Sequence, residues 1–301
     1  DGKKIKDKID SYIKDFYGEN CETEFNATSN DLKSILEKLT LFLKDEPYPG
    51  LGTLNRLFMS AELLHLNKAN WSGLRLGLVE ELEAHLHPQA QMQVIEAFQK
   101  QKDIQLILTT HSPNLASKLK LENLILCNNG NAFPLGSEYT KLDGKNYKFL
   151  EKFLDTTKSN LFFAKGIILV EGWAEEILIP SLAKANGINL TEKGISVVNI
   201  GNIGFDNYTK IYLRKVEPNM AIPVAVITDS DIREYEKIGD SFTKCNAQTI
   251  QHEVKQKIRE IKAKAEQNVN YFPAPNWTLE YSLFKSISLS AVFKNAVRAI
   301  H

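Results

Sequence analysis

The sequence predicts an α/β protein of two units, the second a parallel sheet covered by helices. Three observations carry this reading. The chain has 301 residues, more than one ordinary hydrophobic core holds. Past residue 166, short apolar runs alternate with helix-like stretches, the pattern of βαβ units. Two of those runs, 167–170 and 224–228, end abruptly in carboxylates. An open parallel sheet gathers such strand ends along one edge, where its sites form.

Taken in order, residues 3–16 read as an amphipathic helix, with Ile5, Ile9, Tyr12 and Phe16 at helical spacing. A second helix is expected over 30–44, striped by Leu32, Ile35, Leu36, Leu39 and Leu43 and capped by Asn30-Asp31. These two make a helical arm over 1–48. Tyr48-Pro-Gly-Leu-Gly52 breaks the pattern, and a helix resumes over 54–66. A strand (74–79), a helix (89–101) and a strand (104–109) follow. Asn129-Gly130 between the apolar runs 124–127 and 132–135 marks a hairpin. The polar stretch 137–156 is the expected linker, dividing a first α/β unit over 49–136 from a second over 157–301. The second unit should run strand 167–170, helix 174–185, strand 195–199, helix 207–215, strand 224–228, helix 249–267 and strand 269–272.

Bulk properties exclude several classes. Lys and Arg total 37 against 37 Asp and Glu, so any affinity for nucleic acid must come from local patches. No apolar run reaches the roughly 18 residues needed to cross a bilayer, and the first residues lack a signal peptide's apolar centre. Cys21, Cys127 and Cys245 are few and far apart, which argues against a disulfide framework or cysteine-based zinc site. The expectation is a cytoplasmic protein with no membrane partner.

The chemistry concentrates in Ile167-Ile-Leu-Val-Glu171-Gly172-Trp-Ala-Glu175-Glu176 and Val224-Ala-Val-Ile-Thr-Asp229-Ser-Asp231. Glu171 follows its strand, and Glu175 lies four residues on, on the same side of the following helix. Asp229 and Asp231, two apart, share a face if the chain is extended. Two carboxylates about 4 Å apart repel by about 4 kcal/mol at an effective dielectric near 20. One or two Mg2+ or Mn2+ ions would reverse the sign of that energy. Acids at strand ends are common singly and usually solvated; two such clusters in one α/β unit are less common. Trp173 and Glu176 read as structural or exposed, and Gly201 and Gly204 as a tight loop at the same edge.

On these residues the second unit resembles the Toprim domain of OLD-family nucleases. The resemblance runs through 157–180, 198–206, Thr228-Asp-Ser-Asp231 and Trp277-Thr-Leu-Glu280. It implies a metal-dependent DNA endonuclease in which Glu171, Glu175, Asp229 and Asp231, with Glu280 as a further acid, hold two Mg2+ or Mn2+ ions. One ion would activate a water and the other would stabilise the leaving 3′ oxygen. Such nucleases commonly use a lysine beyond the last acid, for which Lys285 and Lys294 are candidates. The family commonly has an acidic or small residue where Trp173 stands.

The first unit resembles the C-terminal half of an ABC-type ATPase of the RecF and SMC kind. Leu74 to Glu81 looks like a Walker B strand, with Glu80 helping to hold Mg2+ and Glu81 polarising the attacking water. Glu83-Ala-His85-Leu-His87-Pro88 resembles a D-loop, Leu106-Ile-Leu-Thr-Thr-His111 a switch strand, and Gly50-Leu-Gly-Thr-Leu-Asn-Arg56 a degenerate signature loop. OLD nucleases join the two parts in this order. No Gly-x-x-x-x-Gly-Lys-Ser/Thr occurs in the chain, so ATP is expected as a cofactor of a longer protein only, without ATPase activity in this chain alone. The resemblance also implies a homodimer or higher homo-oligomer through the helical arm, DNA as partner and a helicase-type defence partner. Lys255, Arg259 and Lys262 share a helix face, but Glu253, Glu260 and Glu266 dilute it, which favours a solvated surface. The alternative function is an ATP-gated DNA-binding or defence-complex subunit with a non-catalytic Toprim domain.

Overall fold

The computed structural model describes residues 2–18, 22–26, 40–44, 46, 48–67, 73–201, 204–238 and 241–300. The chain divides into two compact units, Asp1–Leu119 and Lys120–His301.

In the first unit, helix α1 (Gly2–Tyr17) buries Ile13 and Phe16. Phe16 meets Phe98 of helix α3 (Pro88–Gln99) edge-on, ring centroids 5.7 Å apart. Between them in sequence come an antiparallel pair, β1 (Thr23–Asn26) and β2 (Thr40–Leu43), and helix α2 (Leu51–Leu66). The expected arm over 1–48 is therefore not a free helical hairpin. Its first helix is part of the core, and 40–43 form a strand; 30–39 lie outside the described residues. Leu41 and Leu43 fit a strand's two-residue period as readily as a helical stripe, so periodicity alone could not choose. Strands β3 (Leu76–Val79) and β4 (Gln105–Leu108) pair in parallel across α3, and a short α4 (Pro113–Ala116) follows. Leu76, Leu78 and Ile107 lie on the exposed face of this pair, while Leu106 and Leu108 pack on the core.

The second unit begins with the hairpin β5 (Ile125–Asn128) and β6 (Asn131–Pro134). Asn129 and Gly130 take φ of 49° and 76°, the pair of positive values a tight hairpin needs. Arg214 ties the hairpin into this unit: it is 5% exposed, donates to the Pro134 carbonyl and lies over the Phe133 and Tyr139 rings. The sequence reading grouped the hairpin with the first unit and placed a linker over 137–156. Instead, Asp143 caps a helix, α5 (Gly144–Phe153), accepting from the Lys145 and Asn146 amides. Tyr147, Leu150 and Leu154 bury its inner face.

The central sheet combines β7 (Gly166–Val170), β8 (Ile195–Asn199), β9 (Val224–Thr228) and β12 (Val269–Pro273) in the spatial order β12-β9-β7-β8, every pair parallel. Helix α6 (Trp173–Ala185) joins β7 to β8, and α7 (Phe205–Thr209), shorter than the expected 207–215, precedes β9. A small antiparallel pair, β10 (Tyr235–Ile238) and β11 (Ser241–Lys244), leads into helix α8 (Ala247–Lys262). After β12 come α9 (Leu279–Lys285) and α10 (Ser290–Ile300). Because β8 lies on one side of β7 and β9 on the other, the strand order reverses beside β7. That reversal opens a crevice at the carboxyl ends of β7 and β9.

Candidate active site

The crevice is where Glu171 and Asp229 stand, one residue past β7 and β9 respectively. Glu171 Oε1 accepts from the Asp229 amide at 3.0 Å and from the Thr228 hydroxyl, so neighbouring strand ends lock the two acids together. Asp229 Oδ1 in turn accepts from the Leu279 amide at the start of α9, at 2.9 Å. Glu175 is 7% exposed, and its Oε2 accepts from the Gly172 amide at 3.0 Å. A Cβ on Gly172 would lie 3.2 Å from that oxygen, so the bare backbone lets the carboxylate fold back over the helix start. A cavity of about 210 Å³ opens here, lined by Glu175, Thr228, Asp229, Phe272, Pro275 and Leu279 among others.

The electrostatics follow from this crowding. The Asp229 carboxyl is pushed up to about 7, first by burial, then by the charge of Glu171, with smaller contributions from Glu175 and Glu280; the Leu279 amide opposes the rise. Three of the other expected acids thus act on Asp229. The fifth, Asp231, stands apart. It is exposed, takes φ of 56° rather than an extended conformation, and its amide donates to the Trp277 carbonyl at 3.0 Å. The shared face expected for Asp229 and Asp231 presumed a straight chain, which ends at Thr228.

The donor chemistry fits a hard divalent cation: carboxylate oxygens only, in a half-buried pocket where burial and then the neighbouring charges push the Asp229 carboxyl up to about 7. Among the described residues, no three His, Cys, Asp or Glu side chains are gathered tightly enough to enclose an ion as they stand. Of the candidate lysines, Lys285 is paired with Glu234, and Lys294 lies 4.8 Å from the Phe284 ring centre. Glu176, set aside from the sequence, has a buried Oε2 without a hydrogen-bond partner among the described residues. Gly201 and Gly204, after β8, both take positive φ, 67° and 68°, a backbone that glycine adopts readily.

In the first unit, Glu80 and Glu81 follow β3 and both are exposed; Glu81 has φ of 47°, and its amide donates to Thr109 Oγ1 at 3.1 Å. His111 is exposed beyond β4, its amide held by Glu83 Oε1 at 2.5 Å, while Glu83 Oε2 accepts from the Thr110 hydroxyl at 2.6 Å. Glu83 therefore clamps the two strand ends together. Sequence reading treated it only as the first residue of a loop motif, and nothing in its spacing marks the clamp. Gly52 approaches the same loop: a Cβ there would meet the His85 carbonyl oxygen at 2.6 Å.

Comparison with known proteins agrees with both halves. Residues 162–231 match a Toprim domain, a class that the parallel sheet and its acidic strand ends fit. The domain is of a particular kind, matching the family described as overcoming lysogenization defect protein-like (OLD-like) TOPRIM, and residues 2–116 match an AAA ATPase domain. Endonuclease GajA from Bacillus cereus (strain HuB5-5) is 29% identical over 229 residues, 64% of this chain and 32% of that protein. OLD nuclease from Thermus scotoductus (strain ATCC 700910 / SA-01) is 26% identical over 179 residues, 56% of this chain and 33% of that protein. The chain thus spans about a third of the length of these curated relatives. A solved C-terminal region of the Xanthomonas campestris pv. campestris OLD protein aligns over 46% of this chain and 63% of its own, at 22% identity and a TM-score of 0.29.

Proposed function

We propose that this chain is the Toprim-bearing part of an ATPase-coupled DNA endonuclease that hydrolyses phosphodiester bonds with two Mg2+ or Mn2+ ions. One observation carries the reading: at the strand-order reversal of a parallel sheet, Asp229 is half-buried and feels the charges of Glu171, Glu175 and Glu280, a repulsion that cations would relieve. The relatives named as nucleases support DNA as the substrate. When bound, the ions supply Lewis-acid charge at the scissile phosphate and an acidified water. Glu171, Glu175, Asp229 and Glu280 would hold them, with Asp231 two residues beyond. The Thr228 hydroxyl and Asp229 amide fix one oxygen of Glu171 and leave the other for a ligand. The Leu279 amide does the same for Asp229. We further propose that ATP acts only where a P-loop is also present, with Glu80, Glu81 and His111 completing that second site, and that the chain alone does not turn over ATP.

The test is nicking of supercoiled plasmid with Mg2+ or Mn2+. Glu171→Ala and Asp229→Ala should each abolish it, and EDTA should do the same to the parent. Cutting by both variants at the parent's rate would refute the site.

A further inference from the structure

Beyond residues 231, where the Toprim match ends, the chain builds an aromatic ladder that the acidic site does not use. Trp277 stands two residues before α9 and Tyr281 and Phe284 within it, with successive ring centroids 5.8 Å and 6.1 Å apart and the second pair nearly parallel, at 24°. Aromatic residues at this helical spacing ordinarily face a core. Here they do not: α9 buries none of its residues, and Phe284 is 43% exposed. A single cation lies over each ring instead. The Arg233 guanidinium lies 5.3 Å from the Trp277 ring centre and Lys294 Nζ 4.8 Å from that of Phe284. Both cations belong to exposed residues. The middle ring is fixed, since the Tyr281 hydroxyl donates to Glu234 Oε2 at 2.9 Å, and Glu234 also pairs with Lys285. Burial, and then the carboxylate it donates to, push the Tyr281 phenol up, so it stays protonated as a donor.

The ladder is continuous with the acids. The Trp277 carbonyl accepts from the Asp231 amide at 3.0 Å and from the Ser230 hydroxyl at 3.4 Å, and two residues on, the Leu279 amide donates to Asp229. We infer that Trp277 and Phe284, held by Tyr281 and flanked by Arg233 and Lys294, form a stacking platform for unpaired bases of single-stranded DNA beside the acidic crevice. This deepens the nuclease reading and rests on it for the direction in which the strand runs.

The chemistry selects single strands. Unpaired bases present π-faces that stack on aromatic rings whatever their sequence, with cations beside the rings meeting the phosphates. A duplex hides those faces. A chain with equal numbers of acidic and basic residues has no general positive field to hold a duplex backbone.

The experiment is fluorescence anisotropy of a 5′-fluorescein oligo-dT 15-mer, and of a 15-base-pair duplex, titrated with the full chain in EDTA so that nothing is cut. The oligo-dT should bind more tightly than the duplex. Trp277→Ala and Phe284→Ala should each weaken it about five- to a hundredfold, the range of one lost stacking partner, while Trp277→Phe and Phe284→Tyr retain binding. Arg233→Gln combined with Lys294→Gln, both on exposed positions, should reduce the slope of log K against log salt by about 1.4, two phosphate contacts on a single strand. Preference for the duplex, or unchanged oligo-dT affinity in alanine variants with the parent's circular dichroism, would overturn the platform. An unchanged salt slope in the double glutamine variant would overturn it equally. Because the titration excludes metal, a failure of plasmid nicking would remove the nuclease reading and leave this result standing.

Discussion

At the scale of single residues, Asp229 is the acid most altered by its surroundings. Its carboxyl, ordinarily near 3.8, titrates near 7 in the folded chain, chiefly through burial and then through Glu171. Between about pH 4 and pH 7 the folded protein therefore keeps a proton that the unfolded chain has released. Stability falls as pH rises through that window. At a half-exposed site, solvent screening reduces the effect to about 1–2 kcal/mol. We predict that in EDTA at pH 8 Asp229→Asn melts a few degrees above the parent, that the two converge below about pH 4.5, and that millimolar Mg2+ raises the parent's melting temperature but not the variant's. Differential scanning fluorimetry checks this; an asparagine variant that melts at or below the parent at pH 8 would contradict it. The places of Glu171 and Asp229 at one sheet edge were legible in the sequence because two apolar runs in one α/β unit each stop on an acid, and that of Glu175 because it lies four residues past Glu171. The position of Asp231 was not legible. Two-residue spacing implies a shared face only while the chain stays extended, and nothing local announces that Asp231 turns to give its amide to Trp277, 46 residues on.

At the scale of elements, the four strands of the central sheet were expected within a residue or two of where they lie, since each is a short run rich in β-branched or aromatic residues that alternates with helix-like stretches. The small elements were missed. Asp143-Gly144 reads as a turn, yet its reciprocal hydrogen bonds with Asn146 start α5. The hairpin β10–β11 has no apolar alternation to reveal it, and every residue of β11 is exposed. In the first unit, α2 is pinned to the loop after β3 by backbone proximity: Gly52 abuts the His85 carbonyl, and Asn55 Nδ2 donates to the Ala84 carbonyl at 3.0 Å. A methyl group at residue 52 would have to displace main chain rather than a pliant side chain. Gly52→Ala should therefore cost about 1–3 kcal/mol, read as a lower urea midpoint. An unchanged midpoint would show that the loop yields freely.

At the scale of the whole molecule, two units each bury their own core. Phe16, Val94, Ile95 and Leu115 are buried in the first; Tyr208, Tyr212, Leu150, Leu161 and Ile167 are buried in the second. Residues 120–301 expressed alone should consequently fold, with a cooperative melt and the far-ultraviolet spectrum of a mixed α/β domain; a non-cooperative melt would refute their autonomy. That boundary was not legible, because Arg214 and the rings it covers, which draw the β5–β6 hairpin into the second unit, lie some 80 residues apart in sequence. The strand order β12-β9-β7-β8 has one more consequence. Glu171 and Asp229 become neighbours only after the polypeptide has laid down β8 on the far side of β7 and returned, and the Leu279 amide that steadies Asp229 arrives 50 residues later still. Contacts so distant along the chain are closed late. On the ribosome, the two acids therefore cannot be brought together before β9 has emerged, and Asp229 gains its last backbone donor only when α9 follows.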